Sequence, residues 1–208
     1  MRPITRSEFV PGPAGAIECA IDEQADHPPH GVAVVAHPLP TMGGTMDNKV
    51  VGALARAFVL HGLRAVRFNF RGVGQSAGAW DEGRGEVDDL MAVIDHYRQP
   101  DQPFYLAGFS FGGYTAAAAT ARLGDAARPD RLVLVGPAVG RFQVAAVPAD
   151  TVVIHGEQDD VVPLAAVLDW ARPQTLPITV VPGVGHFFHG QLTLLKTLVG
   201  RELRAASG

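Results

Sequence analysis

The feature that most restricts the fold of this chain is an apolar run that leads into a glycine–serine turn and then into an alanine-rich stretch. Residues 104–107 are apolar, residues 108–112 read Gly-Phe-Ser-Phe-Gly, and residues 112–123 have the composition of a helix. A side chain at either glycine would collide in so tight a turn. The pattern predicts a strand, a sharp turn with Ser110 at its apex, and a helix, with the serine hydroxyl exposed. The alternative is a glycine-rich connection in which the serine has no function. The strand and helix predicted on either side of it argue against this alternative, because the motif requires both.

Strand and helix patterns alternate through most of the chain. Strands are predicted around Phe9 and at residues 17–21, 31–36, 64–70, 104–109, 132–135, 152–155 and 178–181. Helices are predicted at residues 47–61, 86–97, 112–123, 164–171 and 188–204. This order indicates an α/β fold with a mostly parallel, twisted sheet of about eight strands and helices on both faces. Without a linker or repeat in the sequence, residues 1–208 are expected to form a single domain.

Composition excludes several function classes. The chain has 208 residues, a net charge of −4 and no block of like charges, so neither nucleic acid nor an anionic membrane is expected as a partner. Its single cysteine, Cys19, cannot form an internal disulfide or a cysteine metal cluster, and no histidine pair has metal-ligand spacing. No phosphate-binding loop or dinucleotide fingerprint is present, so no cofactor is expected. The first residues lack the apolar stretch of a signal peptide, which predicts a cytoplasmic protein.

A serine nucleophile needs a base, and histidine is the usual one. In open α/β sheets, functional groups gather at the carboxyl ends of the strands. His186 follows the last predicted strand and comes directly after Gly185, so it is the leading candidate. His189, one helical turn further on, is the alternative, and His155 at the end of its strand is expected to make a structural hydrogen bond.

The carboxylate that orients the histidine is expected after the strand at residues 152–155. Glu157, Asp159 and Asp160 all lie there. The order serine, acid, histidine along the chain is the one found in hydrolases of this architecture. The residues alone leave the choice between the two aspartates open, because adjacent side chains in a turn point in different directions.

The negative oxygen that forms during acyl transfer needs preorganised N–H donors. One donor is the amide of the residue after the nucleophile, Phe111. The second is expected from the loop after the strand at residues 31–36. Proline has no N–H, so Pro38 and Pro40 cannot donate, and Leu39 between them is the candidate. Alternatively, the two prolines only end the strand.

Several stretches resemble the α/β-hydrolase superfamily, and the resemblance covers nearly the whole chain. In detail the chain is similar to a small group of bacterial α/β hydrolases that lack a lid. The stretches that carry it are residues 37–51, 68–76, 108–112, 155–163 and 185–190. The resemblance implies a catalytic triad of Ser110, Asp159 and His186, with Asp160 as the fallback acid. The family commonly has Asp where Asn69 stands and Gly where Pro38 stands; the first difference is expected to be structural, and the second affects the geometry of the oxyanion donor.

Many members of this superfamily carry a lid between the sixth strand and the acid-bearing strand. Here that connection is residues 136–150, too short for a helical cap domain, so we expect an open, shallow site. Its rim is expected to include apolar side chains that suit a small or medium acyl group: Leu39, Met42, Phe111, Val139, Phe142, Phe187 and Trp80. Arg71 has two interpretations, a contact to a substrate carboxylate or a structural arginine that fixes its loop.

The sequence thus predicts a serine hydrolase that cleaves carboxylic esters or thioesters, a serine esterase with a catalytic triad, a nucleophile elbow and an oxyanion hole. Its expected partner is a small-molecule acyl substrate. A serine peptidase or amidase, and a non-catalytic ligand-binding protein on a hydrolase scaffold, are the alternatives. The serine at the turn disfavours an aspartate-nucleophile dehalogenase. Substrate identity and oligomeric state are left open.

Overall fold

A computed structural model describes residues 3–206, and its eight strands form one sheet. The strands are β1 Pro3–Gly12, β2 Gly15–Gln24, β3 Val32–Ala36, β4 Arg64–Phe68, β5 Phe104–Phe109, β6 Arg131–Val135, β7 Val152–Gly156 and β8 Ile178–Val181. Their order is β1-β2-β4-β3-β5-β6-β7-β8. β1 and β2 form an antiparallel hairpin, β2 pairs antiparallel with β4, and all further pairs are parallel.

Five α-helices cover the two faces of this sheet. They are α1 Lys49–Leu60, α2 Arg84–Tyr97, α3 Phe111–Leu123, α4 Leu164–Ala171 and α5 Leu192–Ala206. Apolar side chains of α1 and α5 belong to the core on one face, and those of α2, α3 and α4 belong to the core on the other. The predicted α/β architecture, with a mostly parallel sheet between two helical layers, is confirmed.

The central strand β3 shows why its sequence is continuously apolar. Val34 and Ala36 pack into the core with α2 and α3, whereas Ala33 and Val35 pack into the core with α1 and α5. Successive side chains of a strand point to opposite faces, so a strand covered on both sides needs an apolar residue at every position. All five residues of β3 are buried.

Element boundaries differ from the prediction most at the N-terminal hairpin and at the start of α5. The N-terminal hairpin is longer than expected, with ten residues in each strand. α5 begins at Leu192 rather than at residue 188, because the preceding residues form turns. The amide of Phe188 donates to Gly185 and that of Gln191 to Phe188, and Phe188 has a φ of 51°. A left-handed backbone at Phe188 prevents the helix from starting there.

The connection from β6 to β7, residues 136–151, contains one isolated bridge between Val139 and Phe142 and no helix. The carboxyl edge of the parallel strands is therefore not covered by an inserted layer from this connection. The loops that follow β3, β5, β6, β7 and β8 meet at this edge.

Candidate active site

Ser110 lies in the sharp turn between β5 and α3. Its backbone has φ 56° and ψ −115°, a conformation rare for any residue except glycine. The Ser110 amide donates to the carbonyl of Val135, which fixes the turn to the end of β6. A Cβ atom on Gly108 would lie 2.0 Å from the carbonyl oxygen of Gly112, and one on Gly112 would lie 2.2 Å from that of Ala36. Both glycines are therefore required for the strand, the turn and the helix to approach this closely.

His186 and Asp159 form a buried pair at the same edge of the sheet. His186 Nδ1 lies 2.6 Å from Asp159 Oδ2 and donates to it. The other carboxylate oxygen accepts hydrogen bonds from the amides of Val161 and Val162, at 2.9 and 2.7 Å. Burial of the Asp159 carboxyl acts to raise its pKa, but the hydrogen bonds from His186 and from the Val162 amide outweigh it, so the pKa lies below its ordinary value. Asp160 is exposed.

Packing holds His186 in place on two sides. Its ring lies 4.8 Å from the ring of Phe109, the last residue of β5. On another side is Gly136, where an added Cβ would lie 3.3 Å from the imidazole and 3.5 Å from Asp159 Oδ2. The loop that carries His186 is anchored by Phe188, whose side chain is buried among α1 and α5. The imidazole is thus placed by the core as well as by the carboxylate.

His155 lies directly beside this pair and is fully buried. Its Nε2 is 2.9 Å from the carbonyl oxygen of Val162 and 3.6 Å from Asp159 Oδ2. Burial lowers the pKa of His155, so the ring is neutral, and the Nε2–H donates to the carbonyl. Its Nδ1 is buried and has no partner among the described residues. The expected structural hydrogen bond is present, and it holds the same residue whose amide holds Asp159.

The loop after β3 is fixed by a second neutral histidine, His37. Its Nδ1 lies 2.6 Å from the Pro38 carbonyl and its Nε2 accepts from the Phe70 amide at 3.1 Å. Burial lowers the pKa of His37 to about 4. In the sequence, His37 stands out only as part of residues 37–51, which carry the family resemblance. Its position directly after a buried strand and before a proline is the sequence signal that could have predicted a structural role for it.

Two backbone amides near Ser110 have no acceptor among the residues that the structure describes. Phe111 is the first residue of α3, and such an amide has no acceptor within its own helix. The amide of Leu39 makes no hydrogen bond within the part of the chain that the structure describes, whereas the Leu39 carbonyl accepts from Met42 and Gly44. These are the two residues that the sequence proposes as oxyanion donors.

A cavity of about 620 Å³ opens at this edge, and both Ser110 and His186 line it. Six of the predicted rim residues are in its lining, namely Leu39, Met42, Phe111, Val139, Phe142 and Phe187. Trp80 is not among the lining residues; its ring packs 5.3 Å from that of Phe111, on the core side. A depression of about 770 Å³ elsewhere, between the end of α3 and residues 146–150, is lined by no serine, histidine or cysteine.

Arg71 is held by a buried carboxylate. Its Nε and Nη2 donate to the two oxygens of Asp89 on α2, at 2.9 and 2.8 Å, and its own amide also donates to Asp89. The Arg71 guanidinium is therefore engaged within the fold, and Arg71 is not in the cavity lining.

Residues 3–206 contain no group of three or more His, Cys, Asp or Glu side chains arranged to hold a metal ion. Within the same residues, the helices are too short or too polar to cross a bilayer.

Comparison with known proteins agrees with this architecture. Residues 27–148 match the family model described as serine aminopeptidase, S33. A lidless α/β serine hydrolase of Xanthomonas campestris is 40% identical, with a TM-score of 0.87 over 97% of this chain and 94% of that one. An α/β serine hydrolase homologue of Coxiella burnetii is 36% identical, with a TM-score of 0.81 over 95% of this chain and 97% of that one.

A curated relative from Rickettsia prowazekii (strain Madrid E), described as an uncharacterized protein, is 31% identical over 195 residues, 85% of this chain and 79% of the relative. Taken with the fold and the serine-bearing turn, these similarities identify the family. The chain belongs to the α/β-hydrolase superfamily of serine hydrolases, in the family described as serine aminopeptidase, S33.

Proposed function

We propose that this chain is a serine hydrolase that cleaves carboxylic esters or thioesters of small or medium acyl groups. One observation carries the proposal. Ser110, in a strained strand-to-helix turn, lines the same cavity as His186, whose imidazole donates to the buried carboxylate of Asp159. Nucleophile, base and orienting acid are the three parts that acyl transfer to serine requires.

The reaction proceeds in two halves. Ser110 Oγ attacks the carbonyl carbon while His186 Nε2 accepts the hydroxyl proton, which gives a tetrahedral intermediate. That intermediate collapses when the bond to the leaving alkoxide or thiolate breaks and His186 returns the proton to it. Water then attacks the acyl-enzyme, His186 accepts a proton from the water, and the Ser110 oxygen leaves with that proton.

Asp159 orients the base and stabilises its charged form. The carboxylate fixes the imidazole with Nδ1 protonated, which leaves Nε2 free to accept a proton. The lowered pKa of Asp159 keeps it ionised at neutral pH, so a negative charge faces the imidazolium that forms during each half-reaction. The two amide donors of Val161 and Val162 hold that charge in place.

The amides of Phe111 and Leu39 stabilise the oxyanion. Neither amide has an acceptor within residues 3–206, and both residues line the cavity beside Ser110. Donors already oriented toward the developing charge need no rearrangement in the transition state. His37, by fixing the Pro38 carbonyl, holds the Leu39 amide in position.

The cavity favours an apolar acyl group of limited size. Its volume of about 620 Å³ lies in the range for small-molecule sites. Its walls are largely aliphatic or aromatic, among them Val139, Phe142 and Val162.

Hydrolysis of p-nitrophenyl butyrate by the wild type and by Ser110→Ala tests the proposal. We expect kcat to fall by about 10⁴-fold or more in the variant, because the attacking atom is absent. Labelling of the wild type by a fluorophosphonate probe should be lost with it. Ser7→Ala, at an exposed serine of β1, is the matched control and should keep wild-type activity. Undiminished turnover or labelling in Ser110→Ala overturns the proposal, and a wild type that does not react with the probe supports a non-catalytic binding protein.

The second candidate is an aminopeptidase, which the description of the matching family favours. Capture of a free amino terminus needs a carboxylate or a similar acceptor. Within the described residues, the cavity lining includes neither Asp nor Glu. We therefore expect the p-nitrophenyl ester of alanine to be cleaved far faster than its p-nitroanilide, with no gain from a free amino group. A faster reaction of the anilide with a free amino group than with a blocked one establishes the peptidase instead.

A further inference from the structure

The cavity that contains Ser110 and His186 is lined by few ionisable side chains. Nineteen residues line it, and apart from His186 the only ionisable side chain among them is Arg141. Arg141 belongs to the segment between β6 and β7 that also supplies Val139 and Phe142. On this basis we infer that the preferred substrate carries a carboxylate, which Arg141 binds at the rim while the ester reaches Ser110. This inference rests on the proposed function and adds the substrate class to it.

Arg141 is available for an external anion. Nine other arginines of the described residues pair with carboxylates: Arg6, Arg64, Arg67, Arg71, Arg84, Arg122, Arg128, Arg131 and Arg172. Arg141 forms no such ion pair among residues 3–206 and is exposed. Because a guanidinium presents N–H donors in a fixed planar arrangement, it binds a carboxylate through two parallel hydrogen bonds.

An aromatic cluster positions this guanidinium. Arg141 Cζ lies 6.0 Å from the centre of the Phe142 ring. That ring packs 5.0 Å from the ring of Phe111 and stacks 5.0 Å from that of Tyr114, both on α3. Since Phe111 directly follows the nucleophile, the surface that supports the cation is continuous with the catalytic turn. A guanidinium over an aromatic face is held without losing its donors, which remain free for a ligand.

One cation in an apolar setting favours a carboxylate over a phosphate. A single guanidinium neutralises one negative charge, whereas a phosphate monoester carries nearly two at neutral pH. The lining offers no second cation for the remaining charge. The expected substrate is therefore an ester or thioester with one carboxylate, separated from the reacting carbonyl by an apolar spacer that contacts the apolar lining of the cavity.

Two matched pairs of esters test the inference and locate the carboxylate. In the acyl pair, p-nitrophenyl butyrate is compared with the mono-p-nitrophenyl ester of glutaric acid. In the alcohol pair, 4-nitrophenyl acetate is compared with 3-carboxy-4-nitrophenyl acetate. For the wild type we expect kcat/KM to favour the carboxylated member of one pair by about tenfold, mainly through KM, because the contact binds ground and transition state alike. The pair that shows the preference identifies the side on which the carboxylate is bound.

The variants isolate the guanidinium. In Arg141→Gln the ratio of kcat/KM for the carboxylated to the neutral ester should fall about tenfold, to near unity or below. Arg141→Lys should keep part of the preference, since the charge remains but the planar donor pair is lost. Arg201→Gln, at an exposed arginine of α5, is the control and should keep the wild-type ratio. Added salt should reduce the preference of the wild type.

The inference and the proposed function can fail separately. Hydrolysis of both neutral esters that depends on Ser110, with no preference for either carboxylated ester, overturns the inference alone. Where no ester is cleaved, calorimetric binding of monoethyl glutarate decides: binding to the wild type that is lost in Arg141→Gln supports the carboxylate site, and equal or absent binding overturns it.

Discussion

At the scale of single residues, one ring nitrogen of His155 is buried without a partner, which indicates that the other ring nitrogen has a structural role. Leaving the Nδ1 lone pair unpaired in the interior costs about 1–3 kcal/mol, and an apolar side chain of similar size would avoid that cost. What the histidine supplies is the Nε2–H, which donates to the Val162 carbonyl and lies 3.6 Å from the Asp159 carboxylate. We conclude that His155 is a positioning residue for the turn that carries Asp159.

Three substitutions at His155 separate this donor from the bulk of the ring. In His155→Leu we expect kcat for p-nitrophenyl butyrate to fall about tenfold to hundredfold with KM nearly unchanged, because Asp159 shifts relative to His186. His155→Gln should recover most of the activity, since its amide nitrogen reaches the place of Nε2, whereas His155→Asn reaches only the place of Nδ1 and should not.

Circular dichroism and thermal unfolding check that all three His155 variants are folded. Equal activity of the Gln and Asn variants, or an effect confined to KM, would contradict a role for the Nε2 donor.

At the scale of elements, the same residue type has opposite effects in two helices. Gly112, in the first turn of α3, packs against the end of β3, where a Cβ would lie 2.2 Å from the Ala36 carbonyl. Gly52, in α1, has no atom within 4 Å of an added Cβ. In α3 the glycine permits close approach of helix and strand, while in α1 it only adds backbone freedom to the unfolded chain.

Gly52→Ala should therefore raise the free energy of unfolding by about 0.5–1 kcal/mol, and Gly112→Ala should lower it by about 3 kcal/mol or more. Urea unfolding followed by circular dichroism at 222 nm measures both. A destabilised Gly52→Ala, or a Gly112→Ala variant as stable as the wild type, is inconsistent with these packing distances.

Elements specified by local sequence were predictable, and those set by distant contacts were not. The strand, turn and helix around Ser110 follow from the apolar run, the two glycines and the alanines that come next. The start of α5 was placed wrongly at residue 188 because residues 188–204 keep a helical apolar pattern. Burial of the Phe188 side chain in the core instead fixes a φ of 51° there, and no local pattern reveals this.

The carboxylates of the site show the same division. Asp159 and Asp160 both follow β7, and the residues alone do not show which of the two carboxylates faces His186. The orientation of Asp159 depends on the amides of Val161 and Val162 and on the His155 contact, which exist only once the turn has closed. In the same way, the partner of Arg71 is Asp89, eighteen residues away on α2.

At the scale of the whole molecule, buried histidines link stability to pH. His37 is fully buried, with its pKa lowered to about 4 from an ordinary value of about 6.5. Its contribution to stability is complete above pH 6.5 and is lost as the pH falls toward 4, because the unfolded chain binds the proton first. The pKa of His155 is also lowered, so its contribution has the same sign. The pKa of Asp159 is lowered too, so its contribution to stability is lost at lower pH, as the pH falls below the ordinary pKa of a carboxyl group.

We therefore expect the free energy of unfolding to fall between pH 6.5 and pH 4, with about 3 kcal/mol of the fall due to His37. His37→Gln keeps a donor and an acceptor but cannot take up the proton, so its fall should be smaller by about that amount. His27→Gln, at an exposed histidine, is the control. Urea midpoints at half-unit pH intervals provide the measurement, and a His37→Gln profile parallel to the wild type excludes this linkage.

The connection between β6 and β7 lines the cavity but lies largely outside the sheet. Residues 136–151 carry Val139, Arg141 and Phe142 at the mouth of the cavity, yet most of this stretch pairs with no strand of the sheet. A segment inserted there would extend over the opening of the cavity and leave the pairing of the eight strands unchanged. We therefore expect residues inserted into this connection to change what the cavity binds and to leave the turn at Ser110 unchanged.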